Sequence, residues 1–147
     1  MTAKGLEVIE HTVHLTHEWI NELCERLDWS SHKEALRLLR VTMRTFRDYL
    51  SHDEIAQFTA QLPLLIRGMF YEGWNPSHTK GKDRHLEAFL AEIDAEVSNV
   101  TEYRGSEDIR TVLRFLNARL SSGEIEDVRA SLPEAIREFW PSTKIGS

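Results

Sequence analysis

Arg67, Tyr71, Glu72 and Trp74 are the residues of this chain whose types and spacing best suit ligand binding. They lie in the run Leu62 to Pro76, LPLLIRGMFYEGWNP. Arg67 and Tyr71 are four apart and share one face of a helix. A guanidinium, a phenol, a carboxylate and an indole together offer charge-assisted bonds to an anion and a surface for a planar ring. The same residues also have a structural use. Arg67 has a counterpart seventy positions later in Arg137, so it suits a corner that occurs twice, and Trp74 suits a seam at a helix exit. Tyr71 and Glu72 have no such counterpart, because Pro141 and Ser142 stand there. That asymmetry keeps a binding site in view.

A second constellation is basic. Lys33, Arg37, Arg40, Arg44 and Arg47 step by four, three, four and three. Each of the four arginines lies one residue beyond an apolar position, about 100° around a helix. The stripe therefore flanks a buried face. It offers Arg37, Arg40, Arg44 and Arg47 as a basic surface for an acidic partner or a phosphate backbone. The alternative is that the aliphatic stems cover the core while the heads pair with neighbouring carboxylates.

Histidines form a third group. His11, His14 and His17 are spaced by three, a spacing that gathers metal ligands on one helical turn. Over two such steps the outer pair spreads across too wide an arc for one ion. Cys24 is the only cysteine, and there is no phosphate-binding Gly-rich loop, no Gly-x-Ser-x-Gly and no Cys-x-x-Cys. The sequence gives no metal site, no cofactor and no catalytic residue, and favours a protein that is not an enzyme.

The elements that carry these residues read as helices. Residues 1–15 form an entry segment, interrupted by Gly5, weakly apolar through Val8, Ile9 and Val13, and open to partial helix. Thr16 is the expected N-cap of a first helix with Trp19, Ile20, Leu23 and Leu27 at helical spacing, running to about Asp28. Ser31 and Glu34 form a capping box, in which the serine accepts an early N–H and the glutamate reaches back. A long helix to about Leu50 follows, with Leu36, Leu39, Met43, Phe46 and Leu50 as its stripe. Ser51 and Glu54 open a short helix. Pro63 opens a fourth, which Gly73 ends. Residues 73–85 read as a linker.

The pattern then recurs. Residues 16–70 align on 86–140 without a gap, with twelve identities that include Ser51/Ser121, Glu54/Glu124, Leu62/Leu132, Pro63/Pro133 and Arg67/Arg137. Chance would give roughly three. No stretch alternates with period two. The expectation is an all-α fold: a single domain over residues 1–147, built of two tandem helical repeats of about four helices each, one of them short, packed with pseudo-twofold symmetry.

The run FRDYLSHDEIAQFTAQLPLLIRGMFYEGWNP from Phe46 resembles the signature stretch of a bacterial family, domain of unknown function number 2267. The entry HTVHLTHEWINEL and the ending VLRFLNARLSSGEIEDVRASLPEAIREFWP resemble it too, so the likeness runs from about His11 to Pro141. Phe70 and Tyr49 depart from it, standing where the family often has a tyrosine and an arginine. The resemblance implies an all-helical bacterial cytoplasmic protein and no particular activity.

Composition narrows the partners. The chain of 147 residues is 41% apolar and carries a net charge of -6, which argues against nucleic acid as the partner. No apolar run approaches the roughly twenty residues that span a bilayer. A lone cysteine fits a reducing cytoplasm. The leading expectation is a non-catalytic helical module that binds another macromolecule, a protein before a nucleic acid, or self-associates; the alternative is a small-ligand or enzymatic pocket at Arg67, Tyr71, Glu72 and Trp74.

Overall fold

A computed structural model describes residues 5–79 and 83–143. The described residues form eight α-helices and no strand: α1 (Glu7–Leu27), α2 (His32–Arg47), α3 (His52–Thr59), α4 (Leu64–Tyr71), α5 (Leu86–Val97), α6 (Ser106–Arg119), α7 (Ser122–Ser131) and α8 (Glu134–Phe139). Within the linker, Pro76–Thr79 makes one 3₁₀ turn.

The first helix corrects the expectation. α1 begins at Glu7, well before Thr16. Thr16 sits mid-helix, where its hydroxyl donates to the Thr12 carbonyl (2.7 Å), the back-bond that threonine makes inside helices. Between Gly5 and Leu27 nothing in the sequence breaks a helix. Leu6, Ile9, Val13, Thr16, Ile20, Leu23 and Leu27 form one stripe stepping alternately by three and four.

α2 lies at the centre, packed by α1, α4, α5 and α6. A single stripe is too narrow for a helix with so many neighbours. Leu38, Val41, Thr42 and Thr45 are buried along with Leu39, Met43 and Phe46, whereas Leu36 is only half-buried. The helix ends at Arg47 rather than at Leu50.

The serine half of each expected cap is present. Ser31, Ser51 and Ser121 accept from the N–H groups of Glu34, Glu54 and Glu124 at 3.1, 3.1 and 3.2 Å. At two of the three, the backward reach of the glutamate is replaced. The Ser31 N–H donates to Glu102 (3.2 Å) and the Ser121 N–H to Gln61 (3.0 Å). Each of these acceptors comes from the other half of the chain.

α4 and α8 both start on proline. Pro63 and Pro133 have φ of -55° and -53°, the value the ring imposes and a helix start accepts. The preceding Leu62 and Leu132 are each 2% exposed. The halves meet through α1 on α6, α2 on α5 and α6, and α3 on α7. Residues from both share one core, in which Trp140 is fully buried with its ring 5.0 Å from Phe46. The Trp140 indole N–H donates to Asn117 (2.8 Å), as a buried indole requires. No helix among the described residues is long and apolar enough to cross a membrane.

Candidate functional site

The residues singled out in the sequence divide between two places at the ends of α4. Arg67 turns back to the α3–α4 corner, where it donates to the carbonyls of Leu62 (3.1 Å) and Ala60 (3.4 Å). Arg137 does the same beside α8, with the carbonyls of Leu132 (3.2 Å) and Arg129 (3.1 Å). Tyr71, Glu72 and Trp74 lie at the opposite end. The Tyr71 hydroxyl meets that of Thr59 (3.0 Å). Its ring stands edge-on to Trp74, which in turn stands edge-on to His52, each pair at 5.5 Å. Glu72 turns the other way and pairs with Arg40 of α2. Tyr71, Trp74 and His52 are therefore in ring contact at the exit, while Glu72 is engaged on α2 and Arg67 at the other end of α4.

The basic stripe also divides. Arg47 is buried, and its guanidinium donates to the carbonyls of Phe70 and Glu72, both at 2.8 Å, and to Asp48 at 2.9 Å. It closes the C-terminal end of α4, whose last carbonyls have no partner within the helix. Arg37, Arg40 and Arg44 line a groove of about 570 Å³ with Lys33, Glu34 and Glu96. Much of their charge is engaged there. Arg37 donates to Glu34 (3.5 Å) and to the Glu96 carbonyl (2.8 Å), and the Arg44 Nε donates to the Arg40 carbonyl (3.3 Å). Arg67, Tyr71, Glu72 and Trp74 do not line this groove. His11, His14 and His17 are exposed on α1, with His14 beside Glu18 at 3.1 Å.

The structure adds a surface that the sequence reading passed over. Leu6, Val8, Ile9 and Val13 are 44, 53, 55 and 40% exposed at the start of α1, and Leu64 and Leu65 of α4 are 50 and 42% exposed. The Leu65 N–H donates to the Thr12 hydroxyl (3.0 Å), so the two sets adjoin. Leu6, Ile9 and Val13 continue the stripe that α1 buries from Thr16 onward. The helix thus carries its apolar face beyond the core. Among the described residues the second half shows no equivalent: α5 begins at Leu86, the position aligned with Thr16, and Glu134 and Ala135 replace Leu64 and Leu65. The unbroken heptad spacing from Leu6 to Leu27 was the available signal.

No curated protein matches the chain significantly. A family model described as an uncharacterized conserved protein, DUF2267, matches residues 16–139. That span takes in both halves and the junction after α4, and by it the chain belongs to the DUF2267 family.

Proposed function

We propose that this protein is a non-catalytic helical interaction module. Its docking surface is the apolar face formed by Leu6, Ile9, Val13, Leu64 and Leu65, and the occupant is an apolar helix face of a second copy or of another protein. The observation that carries this reading is the exposure of that contiguous patch on an ordered helix. Adjoining exposed apolar side chains on a folded surface mark an interaction site, unlike single scattered ones. The stripe keeps heptad spacing, the pattern by which one helix seats against another.

The reading includes a duplicated ancestor, with 16–70 and 86–140 as pseudo-twofold copies in one domain. In its support, α1 meets α6 as α2 meets α5, and α3 and α7 meet each other. Under this view Arg67 and Arg137 serve the repeated corner, and Tyr71, Glu72 and Trp74 seal the linker. Arg37, Arg40 and Arg44 are a secondary basic surface for an acidic part of the partner. A small-ligand pocket at Arg67, Tyr71, Glu72 and Trp74 has less support, because Arg67 points away from the other three. We place the protein in a bacterial cytoplasm, where Cys24 stays reduced.

A photo-crosslinking residue at position 9, with one at the exposed Glu25 as control, tests the docking surface in cells. Covalent adducts to protein at position 9 and none at Glu25 are expected. Equal labelling at both positions, or none at position 9, would overturn the reading.

A further inference from the structure

Where α3 packs on α7, Gln61 takes over a cap. Its Oε1 accepts the Ser121 N–H (3.0 Å), and its Nε2 donates to the Ser121 hydroxyl (3.0 Å). In a closed capping box, Glu124 would accept that N–H. The Glu124 carboxylate is released instead. It is only 9% exposed, and its Oε2 is fully occluded with no hydrogen-bond donor. The Oε2 of Glu54 on α3 is likewise occluded and without a donor. The other Glu54 oxygen lies 3.4 Å from the Ser131 hydroxyl, whose single hydrogen has a closer acceptor in the Asp127 carbonyl at 2.9 Å.

Asp127, exposed on the next turn of α7, completes a triad. One carboxylate oxygen each from Glu54, Glu124 and Asp127 lie within 4.8 Å of one another. The three enter no ion pair with a basic group among the described residues. Burial, then a side-chain hydrogen bond with Glu54 and the charges of Glu54 and Asp127, push Glu124 up to about 7. A buried carboxylate oxygen without a donor is costly, and Glu54 and Glu124 each carry one within the cluster that Asp127 completes.

We propose that Glu54, Glu124 and Asp127 bind one hard divalent cation, calcium in preference to magnesium, which clips α3 to α7. An all-oxygen donor set selects hard cations. Oxygens within that spacing leave a central ion within reach of calcium's range of about 2.3–2.6 Å, and calcium tolerates the irregular shell that three carboxylates from two helices offer, whereas magnesium demands a near-ideal octahedron. Asp127, at the exposed edge, supplies the entry path and room for waters to finish the shell. Glu54 and Glu124 occupy the same aligned position in the two halves, so the ion would join them at their contact.

The test uses the full chain stripped with a chelator, at pH 7.5, titrated with calcium chloride and separately with magnesium chloride. Calcium is expected to bind with one site per chain by calorimetry and to raise the melting temperature by several degrees, with magnesium weaker. Glu124→Gln and Asp127→Asn, each with unchanged helical circular dichroism, should lose both effects. Absence of heat and of a thermal shift with calcium would overturn the proposal, as would a shift that both variants retain. A Glu124→Gln variant more stable than a calcium-insensitive wild type would show that the carboxylates share a proton instead, and the proposal would fall.

Discussion

Before its last helix, each half of the chain turns the same corner with the same residues. Leu62 and Leu132 are buried, Pro63 and Pro133 start the helix, and Arg67 and Arg137 bond the leucine carbonyls. After that helix the halves diverge. Arg47 closes the end of α4, whereas Asn117, at the aligned position, bonds the Pro141 carbonyl (2.7 Å) and the Trp140 indole. Trp140 fills the core where the first half has Phe70. The first half alone extends its leading helix and exposes leucines at the start of α4. Repeated residues hold corners and caps in both halves. The apolar side chains exposed at the start of α1 and α4 are among the residues without a counterpart.

The comparison breaks first at its largest side chains. Trp140→Ala should cost about 3–5 kcal/mol, because it empties a fully buried site. Trp74→Ala, at a half-buried ring outside the repeat, should cost roughly 1–2 kcal/mol. Urea melts of both variants check this, and equal losses would place Trp74 in the core. At the shared corner, Leu62→Ala and Leu132→Ala should each cost about 2–5 kcal/mol. Close agreement between the two would sharpen the equivalence of the halves, while a loss at one corner only would break it.

A third prediction concerns acidity at the α3–α7 contact. The folded protein raises Glu124 from the ordinary carboxylate value of 4.5 to about 7. The fold therefore holds this proton more tightly than the unfolded chain does. Its contribution to stability is complete below about pH 4.5 and is lost as the pH rises through 7. In chelator-containing buffer, wild type should lose roughly 2 kcal/mol relative to Glu124→Gln across that window. Denaturant melts of the pair at several pH values measure the difference, and a constant difference would contradict it. The smallest effect is expected at the caps, where Ser51→Ala and Ser121→Ala should each cost about 1 kcal/mol. Ser121, whose hydroxyl accepts from Gln61 Nε2 as well as from the Glu124 N–H, should be the more sensitive of the two.

Helix type, the serine caps and the proline starts were legible in the sequence because each is a local matter of spacing and backbone chemistry. The start of α1 was not. Leu6 caps it with no side-chain bond, and Thr16 looked like a better N-cap than it proves to be. Arg47 fell at surface spacing, and only the carbonyls at the end of α4, twenty-three and twenty-five residues away, draw it inward. Arg67 and Tyr71 share a helix, yet the corner and the exit use them separately. Glu54 and Glu124 read as caps, and their meeting depends on how α3 lies against α7. In each case the missing information was a tertiary neighbour, which periodicity along one helix does not contain.

The apolar extension of α1 carries the central claim, and a paired substitution tests it most directly. Ile9→Glu with Val13→Glu places two charges on the exposed stripe without touching the core. The double variant should melt with wild type and keep its helical circular dichroism. In sedimentation velocity or in a pull-down from native lysate, it should lose the association that wild type makes, either with itself or with its protein partner. A variant that associates as wild type does would contradict the account, and so would one that unfolds, since the stripe would then belong to the core.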